Sequence, residues 1–214
     1  MFRDRTQAGA ALAAALPELR KKSNVVVIGV ARGGVAVAAE LARLLELPMD
    51  VLCVRKVPVP GYPELAMGAV APMGERFTNR RVASMVNRAD LDRAYDEATA
   101  EARAMDERLR GGEPMMLIGR TALIVDDGAA TGASIRAAMA AVRNAGARQI
   151  MVALPVLPRP QTERLSRECE RLIVLRDPQR FTSVRQFYDD FDDVSEGRIA
   201  ALLAAARPTM ELPA

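Results

Sequence analysis

Two adjacent carboxylates follow an apolar run, and a turn of small residues follows them. The run is TALIV at 121–125, the acids are Asp126 and Asp127, and the turn and first helical residues are GAATGAS at 128–134. A continuous apolar run of this kind indicates a strand that is covered on both faces. Its carboxyl end would deliver both acids to the sheet edge where α/β proteins bind their ligands.

The turn and the acids suit different parts of one ligand. Backbone amides of the turn and the positive end of the following helix dipole make an anion site, which predicts a bound phosphate. The acids would repel that phosphate, so they suit sugar hydroxyls or a Mg²⁺ ion bound to the sugar. The segment therefore predicts a phosphorylated ligand with hydroxyl groups. The predicted phosphate-binding residues are Gly128, Ala129, Ala130, Thr131, Gly132, Ala133 and Ser134.

A second candidate segment, GVARGGV at 29–35, ends the first predicted strand. Arg32 can pair with a diphosphate through two hydrogen bonds, and the glycine pair Gly33 and Gly34 exposes backbone amides. The alternative is an ordinary glycine turn that starts a helix.

A third candidate, Arg55-Lys56, follows the second predicted strand. Only Lys21, Lys22 and Lys56 are lysine among 30 basic residues, so Lys56 suggests that a point charge is needed there rather than a planar fork. The alternative is an exposed charge pair at a strand end.

Together these segments resemble the type I phosphoribosyltransferases. The stretch 122–134 has the pattern of their signature for 5-phosphoribosyl 1-diphosphate (PRPP), and it lacks the GKS or GKT of a Walker A loop. The resemblance covers about residues 1–200. Within the family, the chain is similar to a bacterial group whose acceptor is generally unassigned. The segments that carry this resemblance are RDRTQAGAALA, RGGVAVAAELA, VRK, PELAMGAV and DDGAATGAS.

The resemblance implies a PRPP-dependent transferase that passes the 5-phosphoribosyl group to a nitrogenous base and releases diphosphate. It implies Mg²⁺ as cofactor, PRPP and a small base as partners, and Lys56, Asp126 and Asp127 as catalytic residues. The two acids would hold the ribose hydroxyls and the Mg²⁺ shell. The residues implied for the diphosphate are Ala31, Arg32, Gly33, Gly34 and Arg55.

The acceptor side departs from part of the family. Hypoxanthine-guanine enzymes carry an Asp in the turn where this chain has Ala130, which puts 6-oxopurines in doubt, whereas adenine-type enzymes tolerate Ala. The family's "hood", expected at about 155–192, contains Phe181 and Tyr188 as candidates to stack on the acceptor. The alternative is that these aromatic residues form a core cluster beside a solvated acidic face.

Alternating strand and helix signals predict one α/β domain over 1–214, with a parallel central sheet and helices on both faces. Residues 57–80, rich in Pro and Gly, predict a long mobile loop or an irregular hairpin. Residues 90–110 predict a charged helix whose narrow apolar seam packs on the body or, less favoured, on a second copy. Strands are predicted at 24–30, 50–54, 121–125, 150–154 and 171–175, and the other helices at 5–20, 35–47, 133–145, 160–170 and 196–206.

Composition excludes several functions. The chain has no His, which removes His general bases and His-ligated zinc. A net charge of +3 and 4% aromatic residues disfavour nucleic acid as a partner. The two cysteines are expected to be buried, reduced thiols. The sequence has no apolar segment long enough to span a membrane, and its charged first residues lack the apolar core of a signal peptide. A cytoplasmic protein is therefore expected.

Three functions fit the sequence. The leading one is a PRPP- and Mg²⁺-dependent pentosyltransferase. The second is a regulator that binds PRPP or a nucleotide on the same fold without chemistry, because a fold does not imply a function. The third is a hydrolase that uses water as the acceptor.

Overall fold

The computed structural model describes residues 1–206. Within them a five-stranded parallel sheet has the order β2-β1-β6-β7-β8, and a separate antiparallel sheet has the order β3-β4-β5. The strands are β1 Val25–Ala31, β2 Met49–Cys53, β3 Arg55–Val59, β4 Tyr62–Val70, β5 Arg76–Thr78, β6 Thr121–Val125, β7 Gln149–Val156 and β8 Arg171–Arg176.

Helices cover both faces of the parallel sheet. Helices α1, α2 and α7 contribute to the apolar core on one face, and α5 and α6 to the core on the other. The helices are α1 Arg5–Ala14, α2 Gly33–Leu45, α3 Arg80–Ala83, α4 Arg88–Arg110, α5 Ala133–Asn144, α6 Arg159–Leu165 and α7 Glu196–Ala206. The predicted fold class is confirmed.

The apolar runs become the central strands because both of their faces are buried. Along β1, Val27 packs into the core beneath α1 and α2, whereas Val26 and Ile28 pack into the core beneath α5. A strand that lies between two helical layers has no solvent face, so every position is apolar and the alternation of polar residues disappears.

The strand order creates a switch point between β1 and β6. From β1 the chain moves outward to β2 in one direction, and it later continues through β6, β7 and β8 in the other direction. The loops that leave β1 and β6 therefore diverge to opposite faces of the sheet and leave a crevice between them. Open α/β sheets bind ligands in such a crevice. Both segments that the sequence singled out, 31–34 and 126–134, lie at this crevice.

Residues 57–80 form part of an antiparallel sheet, which we call the lid sheet (β3–β5). The irregular hairpin is the alternative that the structure bears out: the β3–β4 register shifts at Pro58, and a third strand joins the pair. Strands occupy much of the range where the other alternative, a long mobile loop, was expected, because the Pro and Gly residues lie at turns, bulges and edges. Val57 and Met67 bury one face against Tyr95 and Ala98 of α4, as the apolar seam predicted.

Two predicted helices end early and the hood is shorter than expected; one of these helices, expected at 160–170, is α6 and ends at Leu165. The first helix ends at Ala14, and Pro17 opens a short 3₁₀ turn, because proline inside a helix removes a backbone donor. Much of the segment expected to form the hood belongs instead to strands β7 and β8 of the main sheet and to helix α6 between them. The part that crosses the carboxyl edge of the sheet is 177–195, and we use "hood" for this range.

The close packing of the lid sheet at Gly68 predicts that a larger residue at this position lowers the stability of the protein. A Cβ at this position would lie 2.0 Å from the Tyr95 hydroxyl and 2.3 Å from the backbone oxygen of Phe77. Because that oxygen belongs to the paired strand, it cannot rotate away. We expect Gly68→Ala to lower the free energy of unfolding by about 1–3 kcal/mol, the usual cost of overpacking, as measured by urea titration.

The matched control is Gly197→Ala, whose Cβ would meet nothing within 4 Å in α7. Alanine there should be neutral or should stabilise the helix by up to about 1 kcal/mol. Equal stability of Gly68→Ala and the wild-type protein would contradict the tight approach of β4 to Tyr95.

Candidate functional site

Asp126 and Asp127 lie directly after β6, at the carboxyl edge of the sheet. Asp126 Oδ1 accepts a hydrogen bond from the Asp127 backbone N–H at 2.8 Å, which fixes the direction in which the first carboxylate points. Both side chains are partly buried, and Asp127 is 13% exposed. The parallel register with β1 places this acid pair beside the loop that follows β1.

The glycine pair touches the acid pair. A Cβ on Gly33 would lie 1.9 Å from Asp127 Oδ2, and one on Gly34 would lie 2.8 Å from Asp126 Oδ1. Glycine is required at both positions because any side chain would occupy the space of the carboxylates. The Ala31–Arg32 peptide bond just before the pair is cis. The two segments predicted to bind one ligand are therefore in direct contact.

The turn at 128–134 presents its backbone at the start of α5. Gly128 has φ +146° and Gly132 has φ +72°, and these conformations favour glycine. Ala130 and Thr131 are exposed at the tip, whereas Gly132 and Ala133 are buried. Because α5 is twelve residues long, its first amides and its dipole are able to bind an anion, and the phosphate site stays a prediction.

Arg136 supports this turn from behind, a role that the sequence analysis missed. Its guanidinium donates to the Thr131 carbonyl at 2.9 Å and pairs with both carboxylate oxygens of Glu168. It also lies over the ring of Phe77, so it links the turn to the lid sheet. Beside it lies a cleft of about 300 Å³, lined by Ala66, Phe77, Asn79, Thr131, Ala133, Arg136, Gln161, Arg164 and Glu168.

The three basic residues predicted to lie near the diphosphate have different surroundings in the structure. Lys56 is exposed, and it is near enough for its charge to oppose the rise in the pKa of both Asp126 and Asp127. Arg55 is not brought to the acid pair: it forms a 3.0 Å ion pair with Glu101 of α4. Adjacent residues of a strand point to opposite sides, so only one of the two can face the crevice. Arg32 is exposed and forms no ion pair with any residue of 1–206.

Two further side chains contact Asp127 from distant parts of the chain. Arg5 Nε donates to Asp127 Oδ2 at 2.8 Å, and the Tyr188 hydroxyl donates to the Asp127 backbone carbonyl at 2.6 Å. The sequence analysis did not single out Arg5. No local signal could have found it, because the contact joins residues 122 positions apart.

Burial dominates the electrostatics of the acid pair. Removal from water and the charge of Asp127 raise the pKa of Asp126 well above its ordinary value. Burial likewise raises the pKa of Asp127, and the nearby guanidinium of Arg5 acts against this rise. Carboxylates that are costly to ionise without a partner are typical of functional sites, where a ligand supplies the missing compensation.

The aromatic residues of the hood are mainly structural. Tyr188 is 5% exposed and packs between Phe2 and Phe191, so its ring has no free face for an acceptor. This location corrects the expectation that Tyr188 stacks on the base: its hydroxyl is committed to the Asp127 carbonyl. Phe181 is partly exposed and stacks on Phe187 with ring centroids 5.9 Å apart.

The model of the phosphoribosyl transferase domain family matches residues 3–191. The chain belongs to this family. It is 39% identical over 209 residues to two proteins of Mycobacterium tuberculosis, strains CDC 1551 and H37Rv, each named "Putative phosphoribosyl transferase". The matches cover 96% of this chain and 47% of each relative, so the chain spans about half the length of the curated relatives it matches.

Solved structures share the fold of this chain. The crystal structure of TT1426 from Thermus thermophilus is 39% identical, covers 97% of this chain and 100% of its own, and superposes with a TM-score of 0.79. The AQ2163 protein from Aquifex aeolicus is 9% identical, with a TM-score of 0.52 over 84% of this chain and 77% of its own, and shares the fold alone. The resemblance to the type I phosphoribosyltransferase family is thus confirmed.

The structure gives less support to a membrane span, a metal cage built by protein side chains, or a cysteine nucleophile. In residues 1–206, no helix combines the length and apolarity that crossing a bilayer requires. Over the same range, no three His, Cys, Asp or Glu side chains converge into a metal cage. Both cysteines are free, and burial raises the pKa of Cys53 to about 12 and that of Cys169 to about 11, so they are protonated thiols rather than nucleophiles.

The raised pKa of Asp126 predicts a gain in stability when its charge is removed. A carboxyl whose pKa is raised on folding stabilises the native state only when it is protonated, so its ionised form destabilises the protein above that pKa. Asparagine keeps the oxygen that accepts the Asp127 amide. We expect Asp126→Asn to raise the free energy of unfolding at pH 7 by about 1–2 kcal/mol, as functional-site substitutions often do.

The measurement is urea unfolding at several pH values between 4 and 8. The advantage of the variant should shrink as the pH falls through the raised pKa, because the wild-type carboxyl then takes up its proton. Asp193→Asn, which removes an exposed carboxylate of the hood, is the control for the loss of one negative charge. An Asp126→Asn protein that is less stable at every pH would contradict this account.

Proposed function

We propose that this protein transfers the 5-phosphoribosyl group of PRPP to a nitrogen of a base and releases diphosphate. The observation that carries the proposal is the contact between the Gly33-Gly34 loop and the Asp126-Asp127 pair at the switch point. One loop offers amides for a diphosphate, the other offers a turn for a monophosphate, and the carboxylates lie between them. Only a ligand with two phosphorylated ends and hydroxyl groups in the middle uses all three.

The bound ligand would extend along the crevice. Its 5-phosphate would accept hydrogen bonds from the amides of 129–133 at the start of α5. Its two ribose hydroxyls would donate to Asp126 and Asp127. Its diphosphate would lie at the start of α2, near Arg32 and Lys56, which are the two basic side chains of the crevice without an ion pair among residues 1–206.

The transfer needs charge stabilisation more than covalent help. The bond between ribose C1 and the diphosphate oxygen breaks, the electron pair leaves with the oxygen, and the acceptor nitrogen forms the new bond to C1 and releases its proton. Negative charge grows on the departing diphosphate, where Lys56, Arg32 and the α2 amides can stabilise it. The lid sheet stands beside the crevice and is suited to exclude water.

The carboxylate set fits Mg²⁺. Asp126 and Asp127 offer oxygen ligands only, and two carboxylates are too few for a cage made of protein alone. Mg²⁺ characteristically binds one or two carboxylates and completes its shell with water and substrate phosphates. When bound, the ion would neutralise charge on the diphosphate, and the two aspartates would hold its water shell or the hydroxyls that it contacts.

The proposed acceptor is a nitrogenous base, and two residues of the crevice bear on its chemistry. Ala130 places a methyl group at the tip of the turn, so no carboxylate there can accept a proton from a 6-oxopurine. Phe181, partly exposed on the hood and backed by Phe187, is the aromatic side chain best placed to contact a planar ring.

The proposal predicts that PRPP with Mg²⁺ binds and stabilises the protein. Because the crevice exists only in the folded state, PRPP at about 100 times its Kd should add about 2.7 kcal/mol to the free energy of unfolding. Titration calorimetry with PRPP, and with inorganic phosphate as the comparison, measures the two affinities directly. Diphosphate release in the presence of a panel of bases measures turnover.

The double variant Asp126→Asn/Asp127→Asn separates the parts of the site. It should weaken PRPP binding much more than phosphate binding, because the carboxylates face the sugar and the amides face the phosphate. Equal losses for both ligands would refute this division. Binding of PRPP without turnover on any base would favour the regulatory alternative, and base-independent loss of PRPP would favour the hydrolase.

The proposed role of Lys56 predicts that Lys56→Ala lowers the turnover rate much more than the affinity for PRPP. A cation that meets charge developing in the transition state contributes more to kcat than to substrate binding. We expect kcat to fall on the order of 10²-fold, with a much smaller change in PRPP affinity.

Lys22→Ala is the control, because it removes an exposed lysine that precedes the amino end of β1, whereas the crevice lies at the carboxyl end. If Lys56 is only a solvated charge, both parameters should stay within about twofold of the wild type. A large loss of affinity at unchanged kcat would show instead that Lys56 binds the ground state.

A further inference from the structure

The first residues of the chain are built into the site. The Phe2 backbone N–H donates to the Phe187 carbonyl at 2.8 Å, and the Asp189 N–H donates to the Phe2 carbonyl at 2.9 Å. The Phe2 side chain is buried against Tyr188. This short strand-like pairing attaches the N-terminal segment to the hood and brings the start of α1 to the acid pair.

Arg5, the first residue of α1, uses this position to bridge the acid pair and the hood. Its Nε donates to Asp127 Oδ2 at 2.8 Å, and its Nη1 donates to the Asp192 carbonyl at 2.7 Å. The plane of the guanidinium lies over the ring of Phe191, 3.9 Å from the centroid. Arg5 and Asp127 are 12% and 13% exposed, so the ion pair is largely shielded from water.

Arg5 contacts one of the two carboxylate oxygens of Asp127. That oxygen, Oδ2, faces the backbone of Gly33, where a Cβ would lie 1.9 Å away. A sugar hydroxyl would donate to the other oxygen, Oδ1, and the ion pair would stay in place. A guanidinium that contacts carboxylate, carbonyl and ring at once holds one orientation, which a single ammonium group cannot do.

We propose that Arg5 is a positioning residue for PRPP, which holds the Asp127 carboxylate toward the ribose and couples it to the hood. The inference rests on the proposed function, since it names how this site is ordered for that ligand. Arg5 acts through Asp127 and does not itself touch the reacting atoms. Two adjacent aspartates need a nearby cation, and Arg5 supplies one that is fixed by the fold, whereas Lys56 is exposed.

The test compares PRPP binding, in the presence of Mg²⁺, for the wild-type protein and for Arg5→Ala, Arg5→Gln, Arg5→Lys and Arg3→Ala. We expect Arg5→Ala and Arg5→Gln to weaken binding on the order of 10-fold or more, the usual effect of losing a group that orients a ligand-binding side chain. Arg5→Lys should recover part of the loss. Arg3→Ala removes an equivalent charge that is 73% exposed and should bind normally.

A double-mutant cycle with Asp127→Asn distinguishes positioning from a general structural role. If Arg5 acts through the carboxylate, Arg5→Gln should cost little further affinity in the Asp127→Asn background. Melting temperatures measured beside the affinities show whether each variant is folded, and Arg5→Gln serves if Arg5→Ala does not fold.

Three results would overturn the proposal. Unchanged affinity in folded Arg5 variants would show that the ion pair only supports the fold. Tighter binding would show that Arg5 competes with the ligand for Asp127. Equal losses with and without the Asp127 carboxylate would show that Arg5 acts elsewhere. Failure of the wild-type protein to bind PRPP is a separate result, because it refutes the proposed function and the role of Arg5 in it.

Discussion

The close approach of two backbone glycines to two carboxylates is the constraint around which the crevice is organised. Gly33 and Gly34 begin α2, and Asp126 and Asp127 follow β6, so the contact joins the two loops that diverge at the switch point of the sheet. A Cβ on either glycine would collide with an acid. The absence of side chains lets the loops meet, and the partly buried carboxylates that result require compensating charge from elsewhere.

That compensation comes from parts of the chain that are far apart. Arg5 reaches Asp127 from the first helix, and Lys56 acts on both acids from the start of the lid sheet. Burial nevertheless raises the pKa of both acids, so the site is left with charges that a ligand rich in hydroxyls can stabilise. Such a site lowers the stability of the free protein in return for binding, which is a common arrangement at functional sites.

The lid sheet and the hood flank the crevice for different physical reasons. The lid sheet has its own small core against α4 and is joined to the turn at 128–134 by Arg136, which lies over Phe77. The hood is held by its aromatic cluster and by backbone pairing with Phe2. Both elements thus depend on contacts that are distant in sequence, whereas the turn at 128–134 depends on the local conformation of Gly128 and Gly132.

The sequence by itself determined the parallel sheet, its flanking helices and the two loops of the site. Those features follow from local rules: uninterrupted apolar runs make buried strands, and glycines mark turns with positive φ. The same rules predicted the seam of α4 that contains Tyr95. They were less informative for 57–80, because Pro and Gly are equally typical of loops and of the turns and bulges of an irregular sheet.

Only the tertiary structure decided which side chains share the crevice. It separated Lys56 from Arg55, because neighbouring strand residues face opposite sides, and the sequence treated the two alike. It placed Tyr188 beneath the acid pair and not against an acceptor, since its ring completes the aromatic core of the hood. It also brought Arg5 to Asp127. No spacing or periodicity encodes such a contact, because the distance between residues 122 positions apart depends on how α1, β6 and the hood pack together.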